Sequence, residues 1–587
     1  MKSSDGASTN EKLLENGTSS SSSPRKGGLR TMPFIIVNEC LEKVASYGLL
    51  PNMILYLTRD YNMSVAEGTN VIYIWSAMSN ALSIFGAFLS DSYLGRFLVI
   101  CIGSFSSLLG LTLLWLTAMI PELKPCNSFD QVCNSATTAQ LAVLLLSFVF
   151  ISIGAGCVRP CSIAFGADQL ATKERSIGGE KLLDSYFNWY YASVAASVVI
   201  SLSVIAYIQE NLGWKIGFGI PAALMFISVL SFILGSPFYV KVIPGYSLLT
   251  SFVQVVVVAI KNRNLSLPEC NFDEYCQEPD LELMVPTDSL RFLNKACILR
   301  NPETFLNPDG SVSDPWNQCT VRQVESLKSL LKVLPMWSTG IFLMVSQGSF
   351  STLQAKTMDR QLIGDFEIPA GSFTIIMVIT VTIIIPIYDR IGVPLLAKYM
   401  GMPRGFSCKF RIGLGLFFSW AAKSTSAVVE TMRRSEAIKE GFEDQPNAVI
   451  HMSAAWLVPE FVLLGMGEAF NAVGQIEFFY SYFPKSMSSF AMALFTLELA
   501  AADVVGSMMV NIVDKLSSMG GNESWISTNI NKGHLNYYYA ILSFIGILNY
   551  LYFLVISWAY SRPQRQKLEA SPGKEDEQFD YRELPAS

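Results

Sequence analysis

Histidine is almost absent: His451 and His534 are the only two in 587 residues. Both fall at the ends of apolar stretches, so a buried imidazole relay is excluded, and no CxxC or Cys/His ligand spacing offers a metal site. Charge is scarce as well, at 15% of residues, with a formal net charge of −6 and no long Lys/Arg cluster. Nucleic-acid binding is thereby excluded. The N-terminal region, with its serine run Ser19 to Ser23 followed by Pro24-Arg25-Lys26-Gly27-Gly28, lacks the apolar core of a signal peptide. The spans show no Ser/His/Asp set and no phosphate-binding glycine loop, so no enzyme activity, cofactor or metal is expected.

What is present is apolar sequence. Hydrophobic residues make up 51% of the chain and aromatics 12%, and the mean hydropathy is +0.36. This is the composition of a polytopic membrane protein. Stretches of about 20 apolar residues, enough to cross a bilayer as helix, lie at 33–57, 68–89, 97–120, 138–159, 187–208 and 217–239. Six more lie at 329–350, 372–388, 412–430, 451–480, 488–513 and 537–560. The fold class is therefore all-α, twelve transmembrane helices in two six-helix halves, 33–239 and 329–561. Residues 1–32 and 562–587 read as polar cytoplasmic tails, and 240–328 as a cytoplasmic linker with a basic, partly amphipathic segment from Ser247 to Arg263.

Of the 42 Lys and Arg, 28 lie in the tails and even-numbered connections, 10 in the odd-numbered ones and 4 inside spans. The excess places both termini in the cytoplasm. Cys126 and Cys133 then share an external loop suited to a disulfide. Asn62 and Asn522 head external glycosylation sequons, of which Asn522 is the better candidate.

The first span carries three charges, Glu39, Glu42 and Lys43, at i, i+3 and i+4, so one helix face holds them all. Each costs about 2.5–3.5 kcal/mol in a membrane, which marks an ion or proton path. Arg159 in the fourth span is a second buried cation. Glu460, Glu468 and Glu477 share the tenth span, but separations of 8 and 9 residues put Glu468 and Glu477 on opposite faces. Glu498 and Asp503 lie in the eleventh, Lys332 in the seventh and Lys423 in the ninth.

Two six-helix halves joined by a linker is the layout of major facilitator transporters. Gly86 to Arg96, with Asp91, Gly95 and Arg96, resembles that superfamily's cytoplasmic latch, and Tyr388-Asp389-Arg390 with Pro403-Arg404-Gly405 looks like its echo. Glu39-Cys40-Leu41-Glu42-Lys43 is similar to the ExxE(K/R) motif of proton-coupled oligopeptide transporters. Gly154 to Gln169, Phe187 to Tyr191, Gly213 to Pro221, Lys332 to Trp337, Glu477 to Tyr480 and Gly533 to Tyr538 resemble further signatures of that family. On these motifs the chain is identified as a member of the plant nitrate and peptide transporter family.

The resemblance implies proton-coupled symport of a small anionic substrate, nitrate foremost, across a plasma membrane and in contact with its lipid. Glu39, Glu42 and Lys43 are expected to couple protons, and Arg159 and Glu477 to bind substrate or to form a salt bridge between the halves. Arg159 stands where the family more often has Lys; a guanidinium holds a planar anion in a fork and never gives up its own proton. Tyr47, Trp189, Tyr190, Trp337, Gln347 and Phe478 are the candidate cavity wall. With no cavity histidine, a nitrate site has to rest on Arg159, Lys43 or neutral donors. Hormone carboxylates, glucosinolates and small peptides are alternative substrates, and a sensor with little flux is a further reading. Nothing in the sequence sets an oligomeric state.

Overall fold

The computed structural model describes residues 27–125, 136–171, 179–242, 248–267, 275–277, 284–299, 312–345, 350–364, 366–403, 405–483 and 487–569. Cys126, Cys133, Gln347, Arg404 and most of both tails lie outside them. The first half begins with α1 (Met32–Tyr47) and α2 (Leu50–Arg59), one span broken after Tyr47 with a proline, Pro51, in the first turn of the second piece. Then come α3 (Val65–Leu89), α4 (Gly95–Met119), α5 (Thr138–Ala171), α6 (Gly179–Ile200), α7 (Ala206–Asn211) and α8 (Trp214–Leu234). After the linker helix α9 (Leu248–Lys261), the second half holds α10 (Val321–Val345), α11 (Phe350–Lys356), α12 (Ile375–Ile387) and α13 (Val393–Met400). It ends with α14 (Cys408–Lys439), α15 (Val458–Tyr482), α16 (Ser488–Ser517) and α17 (Leu535–Glu569).

Among the described residues ten stretches are long and apolar enough to cross a membrane, and one of them, Val65–Met119, contains both α3 and α4. With the broken α1 and α2, twelve crossings result. Their boundaries follow local chemistry. Ser64 caps α3 through a reciprocal pairing with Glu67, a capping box that satisfies orphan N–H groups at a helix start. The expected tenth span begins two turns late, because Ile450–Ser453 forms a short strand (β2) paired with Met358–Asp359 (β1).

Helices pack where glycine lets backbones touch, the usual device when lipid removes any hydrophobic advantage of burial. A Cβ on Gly86 of α3 would stand 2.1 Å from the Gly156 oxygen of α5. In the second half Gly415 of α14 meets Gly467 and Asn471 of α15 in the same way. Both halves also break after their second span, α3 and α12, with a five-residue π-helical turn, Ser90–Leu94 and Tyr388–Gly392. The structural repeat is therefore clearer than the sequence echo.

One apolar core is shared by the halves: Met53, Leu57, Tyr73 and Trp75 from the first pack with Phe350, Val510 and Tyr538 from the second. It occupies the end away from the termini, called here the far end. At the other end each half keeps its own core, around Phe165 and Phe232 in the first and around Phe478 and Phe479 in the second. The linker differs from a free connector. Phe252, Val255 and Val258 of α9, with Tyr275, Leu293, Cys297 and Cys319, are built into the core of the second half, and α10 starts at Val321, eight residues before the expected span.

Candidate functional site

The charged face of α1 is buried as the 3.6-residue periodicity requires. Lys43 Nζ lies 3.2 Å from Glu39 and 3.4 Å from Glu42, and all three side chains are nearly inaccessible. Ser46, one turn on, donates to Glu42 Oε1 at 2.7 Å. Burying charges is tolerated when they are paired and hydrogen-bonded, and two carboxylates about one lysine leave the trio one negative charge in excess. Arg159 of α5 supplies the balance. Its guanidinium lies 5.5 Å from the Tyr47 ring, whose other approach is Lys43 at 5.9 Å. Its Nε is buried with no hydrogen-bond partner, and among the described residues no carboxylate forms an ion pair with it. Tyr190 of α6 is buried beside Glu39. The structure thus brings together Glu39, Glu42, Lys43, Tyr47, Arg159 and Tyr190.

A family model described as PTR2, POT family, matches residues 97–526. The chain belongs to the POT family. Within it, the Arabidopsis thaliana protein NRT1/PTR FAMILY 1.2 is 53% identical over 546 residues, 91% of this chain and 90% of its own length. NRT1/PTR FAMILY 1.1 of the same plant is 51% identical over 544 residues, 91% and 92%. An auto-inhibited POT family peptide transporter superposes with a TM-score of 0.65 at 17% identity, covering 94% of this chain and 99% of its own. A POT family transporter in complex with 5-aminolevulinic acid gives 0.58 at 15% identity, covering 91% and 98%. The fold is accordingly that of the major facilitator transporters, and this POT family chain is a multi-pass membrane transporter of the NRT1/PTR group.

Other expected site residues of this POT family chain fall elsewhere. Glu477 does not meet Arg159: its Oε2 accepts from Arg411 of α14 at 2.6 Å, within the second half. The halves keep separate cores at this end, and a cation of its own half reaches the carboxylate. Phe478 is a fully buried ring against Phe479, Tyr482 and Tyr560. Trp337 is tied by its indole N–H to the Leu494 carbonyl at 2.9 Å, and Trp189 is 69% exposed. Asn522 is exposed on the turn after α16. The three glutamates of α15 face three directions: Glu460 pairs with Lys423 at 3.1 Å, Glu477 with Arg411, and Glu468 keeps a buried unpartnered oxygen.

The latch region has a partner that spacing alone did not supply. Arg96 reaches Asp168 of α5 at 2.6 and 2.7 Å, and Asp91 only at 3.6 Å. Gly95, at φ +75°, opens α4 in a conformation that a side chain would strain. Asp168 stood inside the fourth-span signature, 72 residues from Arg96, where no periodicity joins the two.

Closure between the halves runs from mid-depth to the far end. Asn80 donates to Asp503 at 3.2 Å, and Asn70 accepts from Ser507 and exchanges hydrogen bonds with Asn511. Thr352 donates to the Pro51 carbonyl, Ser372 to the Leu202 carbonyl, and Lys356 and Arg360 both reach Glu210.

Proposed function

We propose that this chain is a proton-coupled symporter of nitrate or a related small anion, working by alternating access in the plasma membrane with its far end outside. The observation that supports this is the charge count at α1 and α5. Two carboxylates, Glu39 and Glu42, face two cations, Lys43 and Arg159, and buried charge is tolerable only near neutrality. An anion entering alone would leave an uncompensated negative charge, and a proton entering alone a positive one. Together they leave the sum unchanged, so co-transport of the two is the inexpensive route. Arg159, unpaired and planar, would hold the anion in a bidentate fork. A proton on Glu42 would release Lys43 to help it.

The arrangement described has its far end closed. On the alternating-access scheme, substrate and proton leave toward the termini, and the closed far end reopens once the site is empty. The test is the current in voltage-clamped oocytes at acidic external pH with nitrate, then a dipeptide, then gibberellin, at matched surface expression. The expected result is a nitrate-evoked inward current abolished by Glu42→Gln and by Arg159→Ala. Current with gibberellin or the dipeptide alone would replace nitrate by an organic carboxylate on the same cation. Ligand binding without any current would make the chain a sensor.

A further inference from the structure

The scheme above uses the charges of the first half and leaves a second buried set without a role. Lys423 of α14 and Glu460 of α15 lie 3.1 Å apart, their side chains 6% and 1% exposed. Only one carboxylate oxygen is engaged. Oε1 takes the lysine and, at 3.4 Å, the hydroxyl of Ser351 from α11, while Oε2 is buried with no hydrogen-bond partner. A pair serving stability alone should be fully satisfied, since a half-satisfied buried network is worse than an apolar core. A buried, unpartnered oxygen on an otherwise ion-paired carboxylate is a place where a proton binds without displacing any contact.

The surroundings are well defined. Tyr539 of α17 lies 5.4 Å beneath Lys423. Further along α14, fully buried Glu430 and Arg433 form a two-pronged pair at 2.7 and 2.8 Å. The α12 helix, packed against α15 at Met377 and Thr380, has no ionisable side chain, and α10 has none from Val333 to Val345. Glu498 of α16 meets α15 at Gln475, about four turns away. No second cation competes for Glu460 among these elements.

Both buried carboxylates act on one short helix. Ser351 of α11 touches Glu460. Gln354 of α11 donates to Glu430 at 2.6 Å and accepts from Tyr539 at 3.0 Å. From the same two turns Thr352 donates to the Pro51 carbonyl at 3.1 Å and Lys356 pairs with Glu210 at 2.6 Å, both in the first half. The α11 helix therefore stands between the buried charges of one half and the closing contacts of the other.

We propose that the Lys423 and Glu460 pair is a second coupling centre, whose protonation is passed by α11 to the closure of the far end. A proton taken up on Glu460 Oε2 removes the anion that holds Lys423 and the Ser351 hydroxyl. The α11 helix is then free to shift, and its contacts to Pro51 and Glu210 loosen. This deepens the proton-coupled reading and rests on it.

The test needs no substrate. Spin labels carried by non-canonical residues at Leu212 and Val449, both exposed at the far end, report its opening in the purified full-length protein. The wild-type distance distribution is expected to lengthen from mildly alkaline to mildly acidic pH. Glu460→Gln and Lys423→Gln are expected to abolish that response, Glu460→Asp to keep it, and Ser351→Ala, which leaves the ion pair intact, to remove at least half. A full response in Glu460→Gln and Lys423→Gln that is lost in Glu42→Gln would overturn this inference and leave the symport reading standing. A wild type indifferent to pH would overturn both. Should the charge variants fail to fold, an undiminished response in Ser351→Ala overturns the link through α11.

Discussion

Lys356 Nζ and Glu210 Oε1 meet at 2.6 Å across the seam between the halves, and Arg360 reaches the same oxygen at 2.8 Å. The other oxygen of Glu210 accepts the Ala370 N–H at 2.9 Å. One carboxylate of α7 thus gathers three donors from the second half. Truncating Glu210 leaves the partly buried Lys356 without a carboxylate and Arg360 with Glu367 alone, at a cost of about 2–5 kcal/mol. Glu210→Ala is therefore expected to open the far end, and a cysteine placed at Thr352 should react with an impermeant thiol reagent about 10-fold faster or more. Unchanged reactivity would assign closure to the shared apolar core.

The Arg96 and Asp168 pair is partly exposed, so its worth to stability is small, about 1 kcal/mol. Its greater effect should be on transport. A double-mutant cycle with Arg96→Gln and Asp168→Asn should show a coupling larger than the cycle with Asp91→Asn, since Asp91 stands 3.6 Å away against 2.6 Å. Equal coupling in both cycles would restore Asp91 as the main partner.

Gly86→Ala should lower the thermal stability of the purified protein, because the new methyl collides with backbone that has no rotamer to yield. Overpacking of this kind costs about 1–3 kcal/mol, and more where backbone is the obstacle. Gly219→Ala is the control: its Cβ would meet the edge of the Trp115 ring at 3.0 Å, a contact that a side chain relieves. Similar melting temperatures for the two variants would refute the close approach of α3 and α5.

Burial pushes the linker thiols up, Cys276 to about 11 and Cys297 and Cys319 to about 12. The thiolate, which is the reacting form, is disfavoured at neutral pH. A soluble maleimide should therefore modify these three about 100-fold more slowly than a free thiol. The rate should keep rising through alkaline pH, and denaturant should abolish the protection. Rapid labelling in the native protein would show that the linker core opens.

Asn522 should carry a glycan in plant-expressed protein, seen as a mobility shift removed by Asn522→Gln. Asn62 is the poorer acceptor, since Ser64 of its sequon is engaged in capping α3. A glycan on neither, with modification of the terminus-bearing end instead, would invert the orientation.

Local patterns were legible in the sequence, and distant pairings were not. The six-plus-six plan and the charged face of α1 follow from spacings within a helix turn or a bilayer width, which periodicity reports directly. The partner of Arg96 lies 72 residues on, and that of Glu477 lies 66 residues back. Which carboxylate reaches which cation there depends on how helices of one half stack and on which end is closed. Phe478 illustrates the same limit, for an aromatic in a motif reads alike whether it lines a cavity or fills a core. The alternation Ile450-His451-Met452-Ser453 is too short to stand out from the apolar run that follows, so in the sequence β2 reads as the start of a helix. The apolar residues of the linker are thinly spread among polar ones, and only the surface of the second half reveals what they bury against.

That linker core has a mechanical consequence. Tyr239 is fixed in the core of the first half, and Phe252 in that of the second. The chain from Tyr239 to Leu248 is then the strap between two rigid arms, with a reach of at most about 30 Å. The described linker residues beyond it, from Phe252 to Cys319, are cargo of one arm. Any swing of the halves is geared through those few residues, and shortening the strap would limit its stroke, whereas trimming the cargo would unseat one arm.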